Sequence, residues 1–238
     1  MPLPKISTPT YDLVLPSNGK KIKYRPFLVR EEKVLILALE SQDIKQISNA
    51  VKSTLKSCVQ TRGVKIDDLP SFDIEYIFLN VRAKSVGESL DLVITCPDDN
   101  ETTVNAQIYT DDIEVVKDPE HDIEIPLDAK LTLKMKYPSM DQFIKSNFDI
   151  GDATVDESFE IVASCIDTIY DAEDVWSASD CTKKELVEWV GDLNTAQFKE
   201  VEKFFTTMPK LSHTMKVTNP KTKVESEVTL EGLASFFG

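Results

Sequence analysis

The chain has 238 residues, of which 41 are acidic and 27 are basic, so its formal net charge at pH 7 is −14. This charge repels phosphate backbones and argues against nucleic acid as a partner, and no stretch approaches the roughly 20 apolar residues of a membrane span. The N-terminal run lacks the apolar core of a signal peptide and the four cysteines follow no pairing pattern, so we expect a protein of a reducing, intracellular compartment.

The first hundred residues predict a hairpin followed by three helices. Apolar and polar residues alternate on both sides of the Asn-Gly pair at 18–19, which supplies the positive φ angles of a tight hairpin turn. Between residues 29 and 59 apolar residues recur at intervals of three and four, which predicts two helices broken near Ser41. The repeating positions of the first helix are Val34, Leu35, Ala38 and Leu39. A third helix is predicted from residue 71 to its terminator Gly87.

Strands and helices alternate through the rest of the chain. Alternating apolar residues predict strands within 92–108, 112–116, 122–137 and 211–231. The helical period returns over 139–148, 156–171, 182–193 and 194–209. Ser139, Thr182 and Asn194 are the expected N-caps, and Glu185 completes a capping box with Thr182.

Two hairpin turns have the shape of zinc-binding knuckles, a name we give to residues 96–99 and 219–222. Each is a proline-containing turn between two strands. A zinc ribbon needs two thiolates in each turn because zinc takes four ligands in a tetrahedron. Cys96 is the one cysteine at these four positions, because the other three are Asp99, Asn219 and Thr222. The hairpins therefore resemble degenerate zinc-ribbon halves that hold their shape without metal.

Catalytic chemistry is not indicated by the sequence. A zinc site would have to recruit His121, His213 or a distant cysteine, and neither histidine lies in a recognisable nucleophile arrangement. We interpret His121, beside an acidic turn, and His213, at the start of a strand, as ordinary surface or strand histidines. The glycine-containing stretches lack the spacing of a phosphate-binding loop. We expect no enzyme, no catalytic, cofactor-binding or metal-binding residues and no cofactor.

The elements together predict an α+β fold in which helical modules are separated by β-hairpins. We divide the chain into residues 1–110 with the first hairpin, the helices and the first knuckle, a β-rich acidic segment over 111–138, and residues 139–238 with helices, the second knuckle and an apolar tail. No flexible linker marks these boundaries, so the three parts can also form one continuous domain.

Several runs of the sequence resemble one protein family. The runs YDLVLPSNGKKIKYRPFLVREEKVLILALES, FDIEYIFLNVRAKSVGE, CPDDNET and LEGLASFFG are similar to the T4-type bacteriophage baseplate protein family, whose members are hub components or hub assembly factors of contractile-tailed myoviruses. The resemblance implies a non-enzymatic late protein that acts in the host cytoplasm through contacts with other baseplate hub or tail proteins. It leaves open a structural subunit of the virion and a transient assembly chaperone, with a metal-dependent hydrolase as a remote alternative.

The passage from the first hairpin to the first helix is a candidate protein interface. Arg25, Phe27 and Arg30 are clustered there, and aromatic and arginine side chains are favoured at the centres of interfaces. The alternative is structural: Phe27 begins the core, and the two arginines pair with neighbouring acids.

The C-terminal run is the second candidate interface. Its apolar residues recur at intervals of three and four and are Leu230, Leu233, Phe236 and Phe237. So much apolar surface at a chain end requires a groove, which either a partner or the helices around Trp189 and Phe204 can supply.

Acidic residues are concentrated in three runs, over 111–125, 149–160 and 170–180. A solvated acidic face explains these runs, and a docking face for a basic protein partner is the alternative.

Overall fold

The computed structural model describes residues 6–140, 142 and 155–236. These residues form the α+β fold that the sequence predicts, with helices and small antiparallel sheets in alternation. The α-helices are α1 (Val29–Ser41), α2 (Ile44–Cys58), α3 (Ser71–Val86), α4 (Val155–Ser164), α5 (Lys183–Gly191) and α6 (Thr195–Thr207). Across the described residues, no helix has both the length and the apolar character needed to cross a bilayer.

The strands of the described residues form four antiparallel sheets. Two are hairpins, β1 (Tyr11–Val14) with β2 (Lys21–Tyr24) and β3 (Ser89–Thr95) with β4 (Thr103–Tyr109). A four-stranded sheet has the sequential order β6 (Glu124–Pro126), β7 (Thr132–Met135), β8 (Ile166–Tyr170) and β9 (Val175–Ser177). In the three-stranded sheet, β10 (Lys210–Thr218) lies between β5 (Glu114–Val116) and β11 (Glu225–Glu231).

Two hydrophobic cores hold these elements together. The first core joins the β1–β2 hairpin, α2, α3 and the β3–β4 hairpin with residues from 211–236, and its fully buried side chains include Tyr24, Leu55, Ile74, Ile77 and Phe236. The second core lies between the four-stranded sheet and the helices α4, α5 and α6, and includes Leu133, Ile166, Val201 and Phe204. Along the chain, the second-core residues of the range 123–205 lie between two groups of first-core residues, and Met140 within this range also belongs to the first core.

A buried carboxylate anchors the first hairpin on α3. Asp73 lies in the first turn of α3 and is 0% exposed. Its Oδ1 accepts a hydrogen bond from the Ser17 backbone N–H at 3.0 Å, and its Oδ2 accepts one from the Ser17 hydroxyl at 2.5 Å. Burial raises the pKa of Asp73, against the effect of these two hydrogen bonds. The turn of the β1–β2 hairpin is thereby held at the N-terminus of α3.

Several sequence predictions are confirmed at the level of single residues. The break between α1 and α2 lies at residues 42–43, where Gln42 has a left-handed φ of 53° and Asp43 caps α2 by accepting from two backbone N–H groups. Thr182 forms the predicted capping box with Glu185, and Asn194 caps α6. The predicted helix over 139–148 falls mostly outside the described residues.

The predicted helix over 156–171 is wrong in its second half. Helix α4 ends at Ser164, and Ile166–Tyr170 is β8, which pairs with β7 on one side and β9 on the other. The apolar spacing of this stretch fits a helix, but β8 is rich in β-branched and aromatic residues, and pairing on both sides decides its conformation.

His121 is a buried residue of the second core's rim and not a surface histidine. Its side chain is 8% exposed, and its ring stacks on Tyr137 with a centroid separation of 5.5 Å. Nδ1 lies 2.9 Å from the Thr207 hydroxyl, and Nε2 lies 3.0 Å from the Tyr137 hydroxyl. Because the Thr207 hydroxyl donates to the Lys203 carbonyl, it accepts from Nδ1–H, which leaves Nε2 as the acceptor of a neutral ring.

We expect this histidine to make stability depend on pH. Burial, followed by the charge of Lys117, lowers the pKa of His121 below its ordinary value of 6.5. The unfolded chain therefore binds the proton more readily, so the contribution of His121 is complete above pH 6.5 and is lost as the pH falls below that value. Urea unfolding of the wild type and of His121→Gln between pH 7.5 and about 5.5 measures this difference. The assignment would be contradicted if His121→Gln left the pH dependence of the free energy of unfolding unchanged. It would also be contradicted if His213→Gln removed that pH dependence as well.

Candidate functional site

The passage from β2 to α1 is built around a buried ion pair. Arg25 is 9% exposed, and its Nη1 and Nη2 donate to the two carboxylate oxygens of Glu31 at 2.8 and 2.7 Å. Nη1 also donates to the Pro26 carbonyl, and Glu31 accepts the Leu28 backbone N–H at 2.7 Å. The Arg25 hydrogen bonds are the main reason that the pKa of Glu31 is lowered. This one carboxylate thus pairs with Arg25 and caps the first turn of α1.

The structure places the three candidate interface residues of this passage in different environments. Arg25 lies inside the fold, and Phe27 is half-buried against the first core, with its backbone N–H donating to the Ser85 hydroxyl at 3.0 Å. The side chain of Arg30 is 76% exposed and lies 3.8 Å from Glu31. Of the three, Arg30 is the one that faces solvent.

Helix α1 carries an apolar surface that is much larger than the exposed part of these three residues and that the sequence analysis did not predict. Ala38 is its buried residue and Leu35 is half-buried against the first core. Five aliphatic side chains are exposed, which we call the α1 face: Val29 at 80%, Val34 at 48%, Ile36 at 49%, Leu37 at 54% and Leu39 at 49%. The sequence contained a signal for this surface. The run VLILAL places apolar residues all around the helix, whereas a helix with a single buried face needs them on one side.

The C-terminal run packs within the same chain. Leu233 and Phe236 are 2% and 1% exposed and belong to the first core, and Leu230 is partly buried against it. The interpretation that the helices around Trp189 and Phe204 supply the groove is wrong, because those residues belong to the second core. Gly232, with a φ of +71°, turns the chain after β11 so that the short helical turn Leu233–Phe236 can reach the first core. Phe237 lies outside the described residues.

The two knuckles pack against each other. Asn219 is 1% exposed, and its Nδ2 donates to both carboxylate oxygens of Asp98 and to Oδ2 of Asp99, each at 3.0 Å. The Thr222 hydroxyl donates to Asp98 at 2.5 Å, and Asp99 also accepts from the backbone N–H and hydroxyl of Thr102. Three of the four knuckle positions therefore share one hydrogen-bond network.

The electrostatics of the knuckle junction follow from these donors. Hydrogen bonds from Thr222 and then Asn219 lower the pKa of Asp98, and those from Thr102 hold the pKa of Asp99 well below its usual range. Cys96 is 1% exposed at the start of its turn, and burial, together with the neighbouring aspartates, raises the pKa of its thiol. Among residues 6–140, 142 and 155–236, no group of three or more His, Cys, Asp or Glu side chains is placed to hold a metal ion. The likeness to zinc-ribbon halves stays an interpretation of the sequence.

A second exposed surface lies at the open edge of the four-stranded sheet. Strand β9 ends this sheet, and its Val175 and Trp176 are 71% and 45% exposed. Glu173, Asp174 and Asp180 flank the strand and are exposed. We call β9 with these three acids the acidic edge. The sequence analysis identified the acidic run over 170–180 as a possible docking face. It did not predict that Trp176 within this run lies on the edge strand of a sheet.

The backbone of the acidic edge is open on one side. The Asp171 N–H donates to the Asp174 carbonyl at 3.0 Å, so these two residues form a hydrogen-bonded pair. Hydrogen-bonded and non-hydrogen-bonded pairs alternate along an antiparallel ladder. The pair Tyr170 with Val175 is therefore not hydrogen-bonded, and the next hydrogen-bonded pair is Ile169 with Trp176. The backbone groups of Val175 therefore point away from β8, where no strand of the described segments pairs with them. The Ser177 carbonyl also points away from β8, but it begins the short helical turn Ala178–Asp180 and accepts the Cys181 thiol at 3.6 Å.

A family model described as "T4 bacteriophage base plate protein" matches residues 8–238, nearly the whole chain. No curated protein and no solved structure matches the chain.

Proposed function

The chain belongs to the T4 bacteriophage base plate protein family, and from this premise we propose that it acts in assembly of the baseplate hub. In this role it is not an enzyme and works in the host cytoplasm through contacts with other hub proteins. The family supports a baseplate role and association with the phage tail. The hub itself, the absence of catalysis and the place of action are the proposal.

The acidic edge is the main observation that supports a role in protein contacts. An exposed tryptophan on an open strand is the kind of side chain that dominates interface energies, because it buries a large apolar area at little cost in conformational entropy. The backbone N–H and carbonyl of Val175 offer a partner strand a further position for hydrogen bonds. The flanking acids select a partner segment of positive charge, in line with the net charge of −14.

The surroundings of the histidines support a role without catalysis. His121 is fixed between two hydroxyl groups inside the fold, and His213 hydrogen-bonds to the Asp112 backbone carbonyl at 3.0 Å. Neither lies beside a serine or cysteine that it could activate in the described hydrogen-bond network.

A transient hub assembly chaperone is the second candidate function. The strong negative charge favours it, because an acidic protein can shield a basic surface of another hub protein until that protein is incorporated. The two functions differ in where the chain is found at the end of assembly.

Affinity purification from infected cells, combined with mass spectrometry of purified phage particles, tests the proposal. We expect hub proteins to co-purify with the wild type, and Trp176→Ala to reduce their recovery about tenfold or more. Tyr109→Ala is the matched control, because this aromatic residue is 54% exposed on another sheet, and we expect it to change nothing. Presence in particles supports a hub subunit, and absence with intact complexes in cells supports the chaperone.

Two results would contradict the proposal. Recovery of no baseplate protein with the wild type would exclude a contact role in hub assembly. About one metal ion per chain, retained through dialysis against a chelator, together with hydrolase activity, would replace the proposal by the remote enzymatic alternative.

A further inference from the structure

The α1 face is a surface that the hub proposal does not use. Its five exposed aliphatic side chains offer on the order of 500 Å² of apolar surface, of which Val29, Ile36 and Leu37 on the outer side offer about 300 Å², a size within the range of the largest patches on monomeric proteins. A helix that is apolar on its outer side as well as its inner side is normally covered on both. In the described part of the chain helix α1 packs on α2, with Ala38 buried and Leu35 half-buried against the first core.

Charged side chains on the same side of α1 indicate what covers it. At 100° per residue, Val29, Lys33, Ile36, Leu37 and Glu40 fall on one side of the helix, and all five are exposed. The lysine lies in the N-terminal half and the glutamate in the C-terminal half. Neither has an ion-pair partner among the residues that the structure describes.

This arrangement is complementary to itself when one copy is reversed. A two-fold axis that passes between Ile36 and Leu37 places Ile36 of one copy against Leu37 of the other. The same axis places each Lys33 against Glu40 of the other copy, so two opposite-charge pairs flank the apolar contact. Parallel packing would instead place Lys33 against Lys33. From the apolar area and this charge pattern we infer that two copies of the chain associate through their α1 helices, packed antiparallel.

The size of the surface sets the strength of the dimer. A standard interface buries about 800 Å² on each partner, which is more than the α1 face alone provides. We therefore expect a dimer that dissociates on dilution within the micromolar range. At about 0.15 M salt the Debye length is roughly 8 Å, so the net charge of −14 on each copy is largely screened at the distances between the two molecules.

Sedimentation of the purified full chain between about 1 and 100 µM tests the inference. We expect the wild type to pass from monomer to dimer over this range. Leu37→Glu should abolish the dimer. The matched control is Val93→Glu, which places the same charge at a strand residue that is 70% exposed, and it should leave the dimer unchanged.

Charge exchange gives the sharper test, because only a second antiparallel copy predicts its outcome. Lys33→Glu alone and Glu40→Lys alone each place like charges opposite one another twice, and each should raise the dissociation constant at least fivefold. The double variant Lys33→Glu with Glu40→Lys should restore the wild-type value. Since all these side chains are exposed, thermal midpoints measured at about 1 µM, where the wild type is a monomer, should stay at the wild-type value and show that folding is intact.

Three outcomes would overturn the inference: a monomer at every concentration, a dimer that survives Leu37→Glu, or a double variant that is no better than the single ones. Association of the α1 face with a different hub protein would appear as a monomer that loses its partner on Leu37→Glu, and this too would overturn it. None of these outcomes bears on the hub proposal, which is tested at Trp176 on a separate surface.

Discussion

Glu31→Ala is expected to lower the free energy of unfolding by about 3 to 5 kcal/mol, because it leaves the Arg25 guanidinium buried without its counter-charge. The two side chains are 11% and 12% exposed, so little water can replace the lost carboxylate. The same change removes the acceptor of the Leu28 backbone N–H at the start of α1. Urea unfolding at pH 7 measures the loss as a shift of the midpoint.

Two variants separate this explanation from a general effect of charge removal. Arg30→Ala removes the other arginine near Glu31, but its side chain is 76% exposed, so we expect a change within about 0.5 kcal/mol. Arg25→Met with Glu31→Leu removes both charges and should recover most of the stability lost in Glu31→Ala. A Glu31→Ala variant no less stable than Arg30→Ala would show that the pair is not desolvated.

Asn219→Asp is expected to have an effect of similar size, about 3 to 5 kcal/mol at neutral pH. In the wild type, the Asn219 side-chain N–H group donates to Asp98 and Asp99. The change keeps the size of the side chain but replaces this donor group by a third carboxylate. The position is 1% exposed, so the introduced charge cannot turn to solvent without opening the junction between the knuckles. Unfolding measured at pH 7 and at about pH 5 tests both the loss and its cause.

Acidification should relieve this loss in part. The neighbouring carboxylates raise the pKa of the introduced carboxyl in the folded state, so the variant is least stable above that pKa and gains stability relative to the wild type as the pH falls. Asn105→Asp, at an exposed position on β4, is the matched control and should stay within about 0.5 kcal/mol of the wild type. A loss that does not depend on pH would show that repulsion between carboxylates is not its cause.

Local signals in the sequence predicted most of the elements correctly. The capping box of Thr182 with Glu185 and the cap at Asn194 involve residues close together in the chain, and such contacts are decided by local chemistry. The first hairpin forms as predicted, but its turn differs from the prediction: Gly19 has a φ of +69°, Asn18 does not have a positive φ, and the Leu15 N–H bond to the Lys20 carbonyl closes a loop of four residues. Strand β8 was missed because its conformation depends on pairing with β7 and β9, of which β7 lies some thirty residues earlier. A periodic apolar pattern does not contain that information.

The candidate surfaces were harder to predict than the elements. The sequence showed two hairpins of similar shape, but the contact between them depends on Asn219 meeting Asp98, which is 121 positions away. It offered Arg25 both as an interface residue and as the partner of a neighbouring acid, and the structure commits this arginine to Glu31. The exposed apolar side of α1 was not predicted, because a repeat that fits burial on one side of the helix gave no sign of an exposed Leu37 and Ile36 on the other.

The interleaving of the two cores has a consequence for synthesis on the ribosome. The first core contains Leu13 and Phe236, so it cannot close until nearly all of the described chain has emerged. Among the described residues, the second core draws on the range 123–205 and can form earlier, while the N-terminal helices still lack Leu211, Leu233 and Phe236. During translation the helices α1, α2 and α3 therefore expose apolar surface over an interval of more than a hundred residues. Factors that bind nascent chains would meet the N-terminal half of this protein before its C-terminal strands arrive to cover it.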